Sequence, residues 1–240
     1  MADNRIVEHY DNVVDTYINS PFYLKSEYIH FLSSFIKPLT LGKIVVDIGC
    51  GTCHFSELLN AKKLICVDPS AEMLFKRPPL KNQKKYVSNG ISFLKNTRSK
   101  YDVILLKECL HHFSDRDKLT LLRYCYERAS TTIIVFRPHD NQYPWFKKAQ
   151  EIFEDKSVKI STLVKILGEL NFSFTQKELI VPIQMSSKHW QCMLTNCFWS
   201  NLSYISKMDL KKEVDGLNLC QDNEIFFNDK IILFISTPRN

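Results

Sequence analysis

The chain has 240 residues, of which 45% are hydrophobic and 24% are charged, a balance that excludes extensive disorder and allows one large domain. Six glycines and nine prolines without a three-residue period exclude collagen-like and low-complexity architectures. The formal net charge of +6 is a mild excess that disfavours a nucleic-acid-binding protein, whose basic residues usually form a denser stripe.

The N-terminal segment MADNRIVEHYDN is charged and lacks the apolar run of a secretory signal. No apolar stretch has the length of a membrane span. Most of the 8 cysteines lie in apolar runs, which favours buried, reduced thiols. These features predict a cytoplasmic protein that does not engage a membrane.

The first part of the chain, residues 6–37, has helical spacing and many aromatic residues. From Ile44 to Phe136, short apolar runs then alternate with helical stretches, which predicts βαβ units and a mainly parallel sheet. The runs are KIVVDIG, KLICVD, YDVILL and TTIIVF. Before the last of them, Ser114 and Asp117 are expected to cap an amphipathic helix.

The second part of the chain predicts helices over 143–153 and 161–170, a strand over 174–185 and a C-terminal strand in KIILFIST. Residues 186–228 separate the two strands and are rich in aromatic residues. A connection of that length within a compact domain is typical of a functional lid.

The segment VVDIGCGTCHF, residues 45–55, predicts a strand, a glycine turn and a helix, which together form a ligand-binding loop. Gly49 and Gly51 would let the backbone approach a ligand, and the helix N-terminus offers free N–H groups. His54 stands where a dinucleotide-binding loop would have a third glycine. Asp47 would repel a pyrophosphate, but it suits a ligand with a positive ammonium group.

A second acidic residue, Asp68, ends the strand LICVD. A carboxylate at the end of the second strand can accept hydrogen bonds from both hydroxyls of a ribose. Pro69 follows, and Met73 offers either an apolar platform for an adenine or a contact within the helix packing. The predicted ligand is a nucleoside with a cationic group.

Four segments, VDIGCGTC, VDPSAEML, YVSNGISFL and YDVILLKECLHHF, resemble the class I S-adenosylmethionine-dependent methyltransferases, in particular their small-molecule branch. The resemblance implies an α/β fold with a Rossmann-like, doubly wound sheet of seven strands, of which the last is antiparallel. It also implies one domain over 1–240, divided as follows: a helical cap 1–43, a Rossmann-like core 44–185, a helical lid insert 186–228 and a final strand 229–240.

S-adenosylmethionine is the cofactor that the resemblance implies. Asp47 and the backbone of the two loop glycines would hold its methionine part, Asp68 its ribose, and Asn89 with Gly90 its adenine edge. Cys53 departs from the family pattern, which commonly has a glycine there. The full set of expected cofactor-binding residues is Tyr17, Asp47, Gly49, Cys50, Gly51, Asp68, Pro69, Met73, Asn89, Gly90 and Lys107.

The motif C-x-x-C-H formed by Cys50, Cys53 and His54 is in isolation a haem-attachment pattern. Its position inside the predicted strand-turn-helix loop argues against haem. A zinc site needs further ligands, and no second cysteine pair is nearby; Cys192 and Cys197 would join only if the insert folded over the loop. No metal is therefore expected.

Residues after the fourth and fifth strands and in the insert are the candidates for catalysis and substrate binding, because loops at the carboxyl ends of strands build such sites. Each has an alternative role in packing, and for His112 packing is the favoured one. The catalytic candidates are His139, His112 and Glu108, and the substrate-binding candidates are Arg137, Tyr143, Trp145, His189, Trp190 and Trp199.

The resulting hypothesis is methyl transfer by in-line displacement to a small-molecule carboxylate, amine or hydroxyl, in a monomer or homodimer that does not bind nucleic acid. Two alternatives stay open. The segment LHHFSDRDKLTLLR also resembles the tRNA wobble-uridine methyltransferases. A catalytically silent, cofactor-binding subunit of another methyltransferase is the other alternative.

Overall fold

The structure is a computed structural model that describes residues 4–19, 27–217 and 224–236. Its centre is a seven-stranded sheet with the strand order β3-β2-β1-β4-β5-β7-β6. The strands are β1 (Ile44–Ile48), β2 (Lys63–Asp68), β3 (Gln83–Val87), β4 (Tyr101–Lys107), β5 (Ala129–Phe136), β6 (Phe174–Ser186) and β7 (Glu224–Ser236).

The first five strands are parallel, whereas β7 runs antiparallel to both β5 and β6. The central strands β1 and β4 are buried over nearly their whole length. This burial explains their continuous apolar sequences, since helices cover both faces of such a sheet. The predicted seven-stranded sheet with an antiparallel last strand is confirmed.

Two layers of helices enclose the sheet. Apolar residues of one helix, Glu27–Thr40, pack on one face, and those of the capped helix Asp115–Arg128 pack on the other. None of the helices in the described ranges has the length and apolar character needed to cross a bilayer. The helices are α1 (Asn4–Asn19), α2 (Glu27–Thr40), α3 (Ala71–Phe75), α4 (Gly90–Asn96), α5 (Asp115–Arg128), α6 (Lys147–Lys156), α7 (Ile160–Glu169), α8 (Ser187–Thr195) and α9 (Lys207–Asp215).

The helix predicted after the first glycine turn is wrong, because the chain forms only a 3-10 turn over Ser56–Leu58. Cys53 and Asn60, with φ of 65° and 53°, lie in the left-handed region on either side of that turn. Left-handed residues interrupt right-handed helical geometry, so a helix in this segment cannot extend past either of them.

The last strand begins at Glu224, ahead of the expected residue 229. The antiparallel ladder between β6 and β7 runs without a break from the Ser186–Glu224 pair to the Phe174–Ser236 pair. Every second side chain of this ladder extends the buried face of the sheet, as Phe227 does opposite Ile183. These cross-strand contacts lengthen the strand. The described part of the insert is therefore residues 187–217; residues 218–223 of the expected lid and 237–240 of the expected strand lie outside the described residues.

Candidate active site

A cavity of about 390 Å³ lies at the carboxyl ends of β1, β2 and β4. Helix α1 and residues 198–204 of the insert cover it. All eleven expected cofactor-binding residues line this cavity, as do Glu108, His112, Arg137 and Trp199. The structure therefore brings together the acidic strand ends, the glycine loop and part of the insert, as the sequence predicts.

Asp47 lies near the end of β1 with a side chain that is almost fully buried. The Ser56 hydroxyl donates a hydrogen bond to Oδ2, whereas Oδ1 has no partner among the described residues. Burial raises the pKa of this carboxyl group from 3.8 to about 8. A buried carboxyl oxygen without a partner on a cavity wall suits a ligand that carries a positive charge.

Asp68 ends β2 and is held in place by the backbone. Its Oδ2 accepts a hydrogen bond from the Gly51 N–H at 2.8 Å, and its Oδ1 accepts one from the Ser70 N–H at 2.9 Å. Burial raises its pKa from 3.8 to about 6, against the lowering effect of these two hydrogen bonds. Each oxygen retains a lone pair for a further donor, such as a ribose hydroxyl.

Two glycines of the site, Gly49 and Gly90, are required by packing within the protein. Gly49 has a φ of 71°, and a Cβ added there would lie 2.5 Å from the Cβ of Cys109. A Cβ at Gly90 would lie 2.4 Å from Cγ2 of Ile48. A steric reason inside the fold thus requires Gly49, and the close approach of a ligand to this glycine stays a prediction.

A buried charge network forms one wall of the cavity. Arg137 shares its single Nε–H between both carboxylate oxygens of Asp229 and donates from Nη2 to Oδ2 at 2.7 Å, while its Nη1 donates to Glu108. Lys107 Nζ lies 3.2 Å from Glu108, and the hydroxyl group of Tyr28 also donates to Glu108. Two basic and two acidic side chains thus balance each other in the network, in which Asp229 lies behind the cavity wall.

Two histidines lie on a 3-10 turn over Leu110–His112, directly after β4. Both line the cavity, and the Nε2 atom of His112 lies 3.1 Å from the hydroxyl oxygen of Tyr10. Burial lowers the pKa of His111 to about 4 and that of His112 well below its usual 6.5. Both imidazoles are therefore neutral near pH 7 and retain a nitrogen that can accept a proton.

Five predicted site residues do not line the cavity. Tyr143, Trp145 and Trp190 are buried in a separate aromatic core, where their polar atoms bond to Asp229, Gln150 and the Pro144 carbonyl. These three predictions are corrected, because large aromatic side chains gain most from full burial. His189 is exposed on α8, and His139 is half-buried outside the cavity wall.

Among the residues of α1 and the insert that close the cavity, Tyr17 and Trp199 were predicted, whereas the others were not. Tyr17 of α1 stacks on Phe198, with ring centroids 5.1 Å apart and planes at 9°. Ile6, Tyr10 and Tyr17 follow a helical i, i+4, i+11 spacing, which places them on the face of α1 toward the cavity. The same spacing in the sequence was a signal that would have identified this face. His111, Ser200, Asn201 and Tyr204 also line the cavity.

Residues 46–131 match a family model described as a methyltransferase domain. These residues therefore form a methyltransferase domain. The match covers both acidic strand ends, the glycine loop and the histidine turn. The predicted enzyme class and its cofactor, S-adenosylmethionine, are confirmed, whereas the role of each residue in the methyltransferase remains a prediction.

Solved structures share the fold of this methyltransferase. A putative methyltransferase from an antibiotic biosynthesis pathway of Anabaena variabilis has a TM-score of 0.62 at 15% identity, covering 85% of this chain and 96% of its own. An S-adenosylmethionine-dependent methyltransferase from Archaeoglobus fulgidus has a TM-score of 0.55 at 18% identity, with 90% and 96% covered.

Magnesium protoporphyrin IX methyltransferase from Synechocystis PCC 6803 with bound S-adenosylhomocysteine has a TM-score of 0.51 at 14% identity, covering 98% of this chain and 85% of its own. At these identities the likenesses establish the fold alone. No curated protein sequence gives a significant match to the chain.

Proposed function

We propose that this methyltransferase methylates a small molecule at an amine nitrogen or a hydroxyl oxygen, inside the cavity beneath α1 and the insert. The observation that carries the proposal is the cavity of about 390 Å³ in which Asp47 presents an unpartnered carboxyl oxygen. That volume is within the range of small-molecule sites. Because cofactor and acceptor share the cavity, the acceptor is small.

The side chains that line the cavity fit S-adenosylmethionine, which when bound supplies a methyl group activated by a positively charged sulfur. Asp47 would bind the ammonium group of its methionine part. Asp68 would accept the ribose hydroxyls, and Met73 and Asn89 would border the adenine. Asn89 is fixed for this role, because its side chain accepts a hydrogen bond from the Ser92 N–H at 2.8 Å.

The protein's contribution to an in-line displacement is to align the reacting atoms and exclude water. The aromatic side chains of Tyr10, Tyr17, Phe198 and Trp199 wall the cavity on the side of α1 and the insert. Together with α1, residues 187–217 thus act as a lid over a single domain. This lid role favours an acceptor small enough to be enclosed over a polynucleotide, which would need an open surface.

The nucleophile of an amine or hydroxyl acceptor must lose a proton. The neutral imidazoles of His111 and His112 line the cavity and are the groups proposed to accept it, although burial makes both of them weak bases. Glu108 is a positioning residue, because its carboxylate already accepts from Tyr28 and Arg137. His139 is not part of this step, since it lies outside the cavity wall.

The charge balance of the wall disfavours an anionic acceptor such as a carboxylate. Arg137 is paired with Asp229 and Glu108, and Lys107 is paired with Glu108. A second anion would have to compete with carboxylates that are already desolvated beside these cations. A neutral amine or hydroxyl faces no such competition.

The deciding experiment incubates the reduced protein with isotopically labelled S-adenosylmethionine and either a small-metabolite extract or bulk tRNA, followed by mass spectrometry. We expect label in a compound of the metabolite extract and none in tRNA. Asp47→Ala should abolish the labelling, whereas the exposed Glu213→Ala on α9 should leave it unchanged. Label in tRNA, or cofactor binding without label in either pool, would overturn the proposal.

A cytoplasmic location and a monomeric or homodimeric state complete the proposal. The free cysteines of the described residues support a reducing compartment, since the Sγ atoms of Cys50 and Cys53 lie 3.7 Å apart without a disulfide. Light scattering of the purified protein tests the oligomeric state. A tetramer or larger assembly would contradict it.

A further inference from the structure

Three cysteines converge beneath the glycine loop. Cys50 and Cys53 belong to the loop after β1, and Cys66 lies in β2 opposite Asp47 in the parallel ladder. Their three sulfur atoms lie within 4.8 Å of one another. Cys53 and Cys66 are fully buried, while Cys50 is partly buried and lines the cavity.

The sulfur spacing matches the geometry of a metal ion bound by thiolates. With zinc-sulfur bonds of about 2.3 Å, two sulfurs of a tetrahedral site lie about 3.8 Å apart. The Sγ atoms of Cys50 and Cys53 are 3.7 Å apart. A disulfide would require the two sulfur atoms to approach much more closely, to a separation of about 2.05 Å.

The surroundings suit a complex with a negative charge. The ammonium group of Lys85 and the guanidinium group of Arg77 both interact electrostatically with Cys53. Gln83 donates a hydrogen bond from Nε2 to the Cys66 sulfur at 3.1 Å. Such hydrogen bonds to ligand sulfurs orient them for a metal ion.

We propose that Cys50, Cys53 and Cys66 bind one soft divalent cation such as zinc, as a clip between the cofactor loop and β2. Binding of the dication to three thiols releases three protons and leaves a complex of net charge −1, with no change of oxidation state. The fourth position of a tetrahedral ion is then left for water or a small ligand. The sequence does not predict this site, because the third ligand comes from the neighbouring strand and not from a second C-x-x-C pair.

The experiment uses cadmium as the probe, because its thiolate complexes absorb in the ultraviolet. The full chain is reduced, stripped with a chelator and titrated with cadmium in the absence of S-adenosylmethionine. We expect one ion per chain by native mass spectrometry, a thiolate-to-cadmium charge-transfer band, and proton release in weak buffer. Zinc should displace the cadmium and remove the band.

Matched cysteine variants locate the site. Cys53→Ser and Cys66→Ser should each weaken cadmium binding at least about tenfold. The exposed Cys192→Ser on α8 should bind cadmium like the original chain. Equal loss in Cys192→Ser, or an unchanged titration in Cys66→Ser, would overturn the proposal.

A measurement on the unmodified chain covers the case in which a buried variant fails to fold. One equivalent of cadmium should protect the partly buried Cys50 from alkylation while the exposed Cys192 continues to react, as read by peptide mass spectrometry. Alkylation of Cys50 at the same rate with and without cadmium would refute the site. Because no cofactor or acceptor is present, this outcome is independent of whether methyl transfer occurs.

Discussion

At the scale of single residues, Asp47 is the group whose chemistry depends most on its ligand. Burial holds the pKa of its carboxyl group at about 8, so it is mostly protonated at pH 7 in the free protein. A cationic group next to its unpartnered oxygen favours the ionised form and lowers that pKa. Cofactor binding and proton release are then linked.

The first prediction concerns the pH dependence of cofactor affinity. Since the carboxylate is the binding form and its free pKa is raised, affinity should rise by up to about tenfold per pH unit below about 8, and level off above it. Calorimetry at several pH values measures this slope. Asp47→Asn should bind weakly with little slope, and an equal slope in both proteins would contradict the linkage.

The second prediction concerns Asp68. Replacement by alanine leaves the ribose hydroxyls without an acceptor and frees the N–H groups of Gly51 and Ser70, so cofactor binding should weaken by about 1 to 3 kcal/mol. Calorimetry provides the measurement, and the exposed Glu72→Ala on α3 is the matched control. Unchanged affinity in a folded Asp68→Ala variant would show that the ribose binds elsewhere.

The residues expected to hold the cofactor were correctly predicted to lie together, whereas most of those expected to hold the acceptor were not. Asp47 and Asp68 were found because parallel strands end at one edge of the sheet, which fixes where their side chains lie. Tyr143 and Trp190 could not be separated from candidate substrate contacts, because aromatic residues serve both cores and binding walls. Only the tertiary packing distinguishes the two roles.

At the scale of elements, α1 and the insert form one aromatic cover. The Tyr17–Phe198 stack joins them, and the Tyr10–His112 contact attaches α1 to the turn after β4. Trp199 lies at the boundary, since it lines the cavity and also packs against Trp190 with ring centroids 5.0 Å apart. Its two faces therefore serve the site and the aromatic core.

The third prediction separates these two roles. Trp199→Ala should raise the KM for the acceptor about tenfold or more and change cofactor affinity little. The reason is that the substitution removes a side chain that we expect to contact the acceptor and not the cofactor. The fully buried Trp190→Ala is the matched comparison and should destabilise the fold by about 3 to 5 kcal/mol. Equal losses of acceptor and cofactor binding in Trp199→Ala would instead indicate collapse of the insert.

Strand existence was predictable at this scale, whereas some boundaries were not. The continuous apolar runs of β1 and β4 predict buried strands directly. The 3-10 turn over Ser56–Leu58 escaped prediction because nothing in the residue types of Cys53 and Asn60 demands a left-handed backbone. The early start of β7 depends on its pairing with β6, which is a property of two distant segments.

At the scale of the whole molecule, one charge network ties the parallel half of the sheet to its antiparallel edge. Glu108 follows β4, Arg137 follows β5, and Asp229 belongs to β7, and these three strands are neighbours. Tyr28 of α2 adds a hydrogen bond from one helical layer. Sequence alone does not reveal this network, because its acidic and basic members lie far apart along the chain.

The fourth prediction tests how much this network stabilises the molecule. Asp229 is fully buried, so Asp229→Ala leaves the guanidinium group of Arg137 without its bidentate partner in a desolvated wall. Breaking a buried pair from one side costs about 3 to 5 kcal/mol, which urea unfolding would detect as a lower free energy of unfolding. The exposed Lys147–Glu151 pair is the matched control, and Glu151→Ala should unfold at the same urea concentration as the original chain.

The free energy of unfolding of a double variant shows whether the charge of Asp229 or its hydrogen bonds stabilise the fold. Arg137→Met combined with Asp229→Leu removes both charges and keeps apolar volume, so it should recover much of the loss if an uncompensated cation is the cause. Glu108 would then retain Lys107 and Tyr28 as partners. A double variant as unstable as Asp229→Ala would show instead that the hydrogen bonds of Asp229 to Tyr143 and Asn141 hold the edge of the sheet in place.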